Sequence, residues 1–171
     1  MSCLIVSPYH AILDVVRRRH PSHLLSLMDL VVETPAPIPP ERHLRINVHD
    51  IAEPMEGAIA PDPSHIADIL AFAGTWDRSA PFLVHCWAGI SRSTAAAFIL
   101  LNQIHGPGKE HDIAHTLRFY APHAQPNRLM IRHADALLGR EGRMISAVED
   151  MGEARCLEAE IVELPLDLEE L

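Results

Sequence analysis

Val84-His85-Cys86-Trp87-Ala88-Gly89-Ile90-Ser91-Arg92-Ser93 is the stretch of this chain in which residue type and spacing carry the most chemistry. Five residues separate Cys86 from Arg92, enough to wrap a loop whose backbone N–H groups converge on one anion at the N-terminus of a following helix. Gly89 sits where a tight anion nest needs a positive φ or a close backbone approach. Arg92 offers a planar fork of donors that matches two phosphate oxygens, a geometry lysine does not supply. The dipoles that hold a phosphate dianion also stabilise a thiolate, so Cys86 is expected to be nucleophilic near neutral pH. His85 is placed to orient the loop and tune the sulfur through hydrogen bonds. Ser93 is placed to donate to the sulfur when it becomes a leaving group. Trp87 is readable either as a wall of the pocket or as a packing residue.

The flanks explain how such a loop would be held. Pro81-Phe82-Leu83-Val84 is a continuous apolar run of the kind buried on both faces in mid-sheet. Ser93 to Ile104 is apolar nearly all round, as in a helix at the centre of a domain. Further upstream, Leu44, Ile46 and Val48 alternate with Arg45 and Asn47, the period-two pattern of a strand that ends near His49 and Asp50. Cys3 to Val6 reads as a buried strand, with Ser7-Pro8 as cap and first turn of a helix whose last turn carries Arg17, Arg18 and Arg19. Leu24 to Val32 implies one or two strands interrupted around Ser26 and Asp29, and the prolines between Thr34 and Glu41 a stiff loop. Asp62-Pro63 opens a helix towards Gly74, Glu110 to Tyr120 forms another, and Asn127 caps a third. From Gly139 the pattern weakens.

Alternating strands and helices, then helices, imply an α/β fold: a central, mostly parallel sheet flanked by helices on both sides. At 171 residues and 48% apolar, the expected organisation is a single domain over residues 1–150 with an acidic C-terminal extension over 151–171. Leu157, Ile161 and Leu164 would let that extension dock as a helix. The longest apolar run, Ala95 to Leu101, is too short to span a membrane, and a formal charge of −9 argues against nucleic acid or an anionic membrane as partner. Three scattered cysteines point to a reducing, cytoplasmic setting. The twelve histidines are dispersed, and no metal or cofactor is expected.

Residues 84–93 resemble the HCxxGxxR[ST] signature of the cysteine-dependent protein tyrosine and dual-specificity phosphatases. Ala88, Ser91 and Ser93 match the HCxAGxSRS form common in the dual-specificity group. The resemblance extends more loosely from about Leu44 to Leu138 and includes Asn127 after Pro126 at the start of a helix. It implies a three-layer sandwich and a phosphocysteine intermediate on Cys86. It also implies phosphate binding by Arg92 and the backbone of Trp87, Ala88, Gly89, Ile90 and Ser91, and assistance from Ser93. An aspartate general acid on a preceding loop completes the implied set. Asp50 is the first candidate, at a strand end on an irregular loop. Asp62 is better explained as a helix cap, and Glu53 and Glu56 are further candidates.

The expected substrate is a phosphorylated protein or a small phosphomonoester. The alternatives are a non-protein phosphate such as an inositol phosphate, phosphoinositide or nucleotide, and a phosphate-reading module without turnover. A protective disulfide from Cys86 to Cys3 or Cys156 is a further possibility that sequence leaves open.

Overall fold

The computed structural model describes residues 2–28, 38–156 and 158–168. Five strands, β1 (Cys3–Pro8), β2 (His23–Leu27), β3 (His43–Ile46), β4 (Phe82–Cys86) and β5 (Val162–Pro165), form one sheet in the order β3-β2-β4-β1-β5. The first four are parallel, and β5 runs antiparallel to β1. β4 therefore lies in the middle, and its C-terminal end carries Cys86.

Alternation along buried strands sends side chains into two cores. Ile5, Leu24 and Leu83 face α1 (Ile12–Arg19), which contributes Ile12, Val15 and Val16. Leu4, Val6, Leu25, Phe82 and Val84 face the larger core. That core is closed by α2 (Pro63–Ala73), α3 (Arg92–His105), α4 (Glu110–Tyr120), α5 (Arg128–Leu137) and α6 (Arg143–Asp150). α3 packs on β4 and β1 and on its helical neighbours, which is why its residues from Ser93 to Asn102 are all buried.

Several expectations need correction. Ser7 and Pro8 do not start a helix: they extend β1 opposite His85 and Cys86, and a 3₁₀ turn over Tyr9–Ala11 leads into α1. Ser26 does not interrupt β2, because its hydroxyl is satisfied by two histidines inside the sheet. The proposed continuation to Val32 and the prolines at 35 and 37 lie outside the described residues. Pro40–Arg42 forms a 3₁₀ turn before β3. α6 was not legible as an element. It starts where the buried Asp135 carboxylate accepts from the N–H groups of Gly142 and Met144, a cap supplied by another helix.

The extension docks as a strand, not a helix. Val162 and Leu164 are buried while Glu163 faces out and pairs with Arg19 of α1, so the period is two. Cys3 cannot reach Cys86: it stands at the far end of β1 from Pro8, the partner of Cys86, about 16 Å away at strand spacing. A disulfide needs Cα atoms within about 7 Å. All three cysteines are free, with Cys156 exposed.

Candidate active site

β4 delivers Cys86 to a loop that closes at Arg92, the first residue of α3. The thiol is 2% exposed, accepts from the Gly89 N–H at 3.2 Å and lies 3.2 Å from the Ser93 hydroxyl. Gly89 has φ +76°, and an added Cβ would stand 2.9 Å from Pro8 N and 3.1 Å from Ser7 C. Only glycine meets both the left-handed backbone and the contact with β1.

The loop's carbonyls are tied down on its outer side. Tyr9 N–H donates to Trp87 O at 3.0 Å, Gln125 N–H to Ile90 O at 2.9 Å and Asn127 N–H to Ser91 O at 3.3 Å. The Thr94 hydroxyl also donates to Ile90 O, at 2.5 Å, and His85 Nδ1 lies 3.3 Å from Cys86 O. His123, 2% exposed, is among the buried side chains. No peptide here is cis, and a trans peptide turns its N–H away from its C=O. The N–H groups of Trp87, Ala88, Ser91 and Arg92 thus point away from these anchored carbonyls, at the N-terminus of α3.

Arg92 is half-buried and donates from Nη1 to the Val48 carbonyl at 2.8 Å, while its Nε is buried without a partner among the described residues. A buried guanidinium donor without a partner is costly unless an acceptor comes to it. Ile90 is half-buried and Ala88 exposed. Trp87 is 60% exposed, and its indole stacks on Tyr9 with centroids 5.4 Å apart and planes 8° from parallel. It is therefore a rim residue with a fixed ring plane.

Asp50 is joined to the loop. Its Oδ1 accepts from the Ser91 hydroxyl at 2.6 Å and from Asn127 Nδ2 at 2.9 Å. Asn127 also donates to the Ile51 carbonyl, while its Oδ1 caps α5 by accepting from Leu129 and Met130 N–H. Asp62 is occupied as the N-cap of α2, accepting from Ser64 and His65 N–H. The Ser64 hydroxyl beside it holds its carboxyl below the usual range. Glu53 pairs loosely with Arg132 at 3.4 Å, and Glu56 is exposed.

Burial drives the imidazole of His85 down to about 4, against the opposing bond to the Cys86 backbone, so the ring is neutral at pH 7. Its Nε2 meets the Ser26 hydroxyl at 2.6 Å. Sequence reasoning missed Tyr9, Ser26 and His43, because Tyr9 reaches the loop, Ser26 reaches His85 and His43 reaches Ser26 from distant segments. His111 and His115 do have the four-residue spacing of a helical metal pair, but His111 pairs with Asp150. No group of three metal-ligating side chains occurs among the described residues. Among those residues no helix is long and apolar enough to cross a membrane.

This architecture is the dual-specificity-phosphatase fold. The crystal structure of DUSP15 superposes with a TM-score of 0.60 at 21% identity, covering 92% of this chain and 99% of that one. The Yvh1 phosphatase domain from Chaetomium thermophilum gives a TM-score of 0.56 at 22% identity, covering 80% and 90%. A mouse protein crystallised with zinc tungstate gives 0.57 at 18% identity, covering 85% and 86%. No family model and no curated protein sequence matches the chain.

Proposed function

We propose that the chain is a cysteine-dependent phosphomonoester hydrolase of the protein tyrosine and dual-specificity type. The observation that carries this reading is the Cys86 sulfur, held by Gly89 N–H and the Ser93 hydroxyl inside a loop beside Arg92, whose Nε has no partner among the described residues. The likeness in fold to known phosphatases supports it.

The Cys86 thiolate attacks phosphorus, forming the S–P bond as the ester P–O bond breaks, while Arg92 and the nest N–H groups take up charge on the equatorial oxygens. Asp50 gives its proton to the departing oxygen. Its Oδ1 already accepts two hydrogen bonds, which leaves Oδ2 to carry that proton. Water then attacks the phosphocysteine, Asp50 takes the water's proton, and the S–P bond breaks. The Ser93 hydroxyl donates to the sulfur as it departs.

The test is turnover of an aryl phosphate. Cys86→Ser should abolish it while inorganic phosphate still binds, and retained turnover would refute the mechanism. Asp50→Ala should cost about 10²–10³-fold on alkyl phosphates and much less on an aryl phosphate with a good leaving group. Equal losses on both would remove Asp50 from the acid role. The substrate in this reading is a phosphorylated protein or small phosphomonoester. A panel of phosphotyrosine and phosphothreonine peptides with inositol phosphates separates these.

A further inference from the structure

Behind the phosphate loop, β3, β2 and β4 place three polar side chains in line. His43 Nε2 lies 2.8 Å from the Ser26 hydroxyl, the same hydroxyl lies 2.6 Å from His85 Nε2, and His85 Nδ1 lies 3.3 Å from the Cys86 carbonyl. His85 and Ser26 are buried at 0% and 4% exposure, and His43 is half-buried at the sheet edge. The direction of each bond follows from what each atom can do. A carbonyl only accepts, so His85 Nδ1 carries a proton. His85 is neutral, its charged form disfavoured by burial and by His43, Arg92 and Arg45 facing it, so its Nε2 holds a lone pair. The Ser26 O–H must then donate to His85. The Ser26 oxygen accepts in turn from His43 Nε2–H, and burial with Arg45 beside it keeps His43 neutral too.

We infer that His43, Ser26 and His85 form a one-way hydrogen-bond relay. It runs from the edge of the sheet to the backbone carbonyl of Cys86, and its role is to position the phosphate-binding loop. The inference rests on the functional reading above. Holding the Cys86 carbonyl outward keeps the Trp87 N–H inward, where it contacts phosphate in the ground state and the transition state alike. The relay is therefore expected to act on substrate binding more than on the chemical step. Ser26 and His43 are positioning residues, since neither touches the reacting atoms.

The decisive measurement is the tautomer of each ring in the ¹⁵N-labelled full chain at pH 7, read from long-range ¹H–¹⁵N correlations. The relay requires His85 protonated on Nδ1 alone and His43 on Nε2 alone. The opposite tautomer at His85, or a charged ring at either position, overturns it. Kinetics give a second reading. Ser26→Ala should raise KM for an aryl phosphate and the inhibition constant of inorganic phosphate together, by about tenfold, with kcat within about threefold. Ser26→Thr, which keeps the hydroxyl, should restore both. His43→Leu should raise KM about threefold, and His43→Gln, which keeps a donor, should not. A Ser26→Ala protein with unchanged KM and phosphate affinity refutes the relay, as does one whose defect Thr fails to restore. If the chain hydrolyses no phosphate ester, the phosphatase reading fails alone. The tautomers and the affinity of Ser26→Ala for inorganic phosphate, followed by chemical-shift titration, still decide the relay.

Discussion

The loop from Cys86 to Arg92 and the loop that carries Asp50 meet at one site but are built differently. In the former, residues 86–92, carbonyl after carbonyl is tied to β1, to the segment before α5 or to a buried histidine. In the latter, residues 50–61, most positions are exposed, and the bonds to the rest of the chain fasten chiefly its two ends, including two between His49 and Ile59. Ser91 and Asn127 hold Asp50, Arg132 donates to the Ala52 carbonyl, and His133 lies 3.1 Å from the Pro61 carbonyl. A cavity of about 320 Å³ lies behind this loop, walled by Ala52, Glu53, Ile131 and Ile145. Electrostatic stabilisation gains from a nest fixed in advance, because donors that must reorganise contribute less. A proton donor serves leaving groups of different size and needs only to arrive within hydrogen-bond reach. Under the proposed mechanism these are the tasks of the two loops.

The largest expected effect tests the buried side of the comparison. His85 has a folded-state value of about 4 against an ordinary 6.5, so between those values the unfolded chain binds the extra proton. The His85 contribution to stability is therefore complete above pH 6.5 and lost as pH falls towards 4, by about 3 kcal/mol. Urea denaturation at pH 7 and pH 4 should show this, and His85→Asn should remove only part of the slope, because burial holds His43 at about 4 as well. An unchanged pH slope in that variant would place the acid sensitivity elsewhere.

Next is Gly89→Ala, which forces a side chain into a φ of +76° and against Pro8. It should cost about a hundredfold in kcat/KM with weaker inhibition by inorganic phosphate, since the left-handed backbone alone costs about 1–2 kcal/mol. A fully active variant would show that the loop is not fixed by β1.

Asn127→Ala sharpens the contrast, because Asn127 serves both regions. It should lower stability by about 1 kcal/mol through the lost cap. It should also slow alkyl-phosphate turnover about tenfold while sparing good leaving groups. Equal slowing on both would mean that it acts on the nest and not on Asp50. The smallest effect belongs to Arg132→Ala, whose ion pair with Glu53 is exposed on both sides. Exposed pairs contribute about 0–1 kcal/mol, so kcat should change by less than about threefold. A larger change would give the Asp50 loop a stiffness its contacts do not suggest.

Much of this molecule was legible in sequence wherever the cause is local. β4 and α3 follow from continuous apolar runs, α2 from Asp62-Pro63, and α5 from Asn127. The role of Ser26 was not legible. A serine in an apolar run reads as an interruption unless the partner that satisfies it is known, and those partners lie at 43 and 85. β5 was missed because Leu157, Ile161 and Leu164 fall near helical spacing, and the alternation of Val162, Glu163 and Leu164 acquires meaning only once Arg19 and the free edge of β1 are in place. Asp50 was reached from a strand read as ending near it, but β3 ends at Ile46, and the anchoring of Asp50 by Ser91 and Asn127 was not legible.

The sequence by itself determined the loop from Cys86 to Arg92, because Cys86, Gly89, Arg92 and Ser93 sit within eight consecutive residues, where spacing dictates geometry. Only the tertiary structure decided what holds that loop and brings Asp50 beside it. Ser26, Asp50 and Asn127 meet residues 85–91, and His43 reaches them through Ser26, across separations that no local pattern encodes. A hydrogen bond depends on where the folded backbone puts two atoms, and for these residues that is settled by the packing of the sheet against its helices.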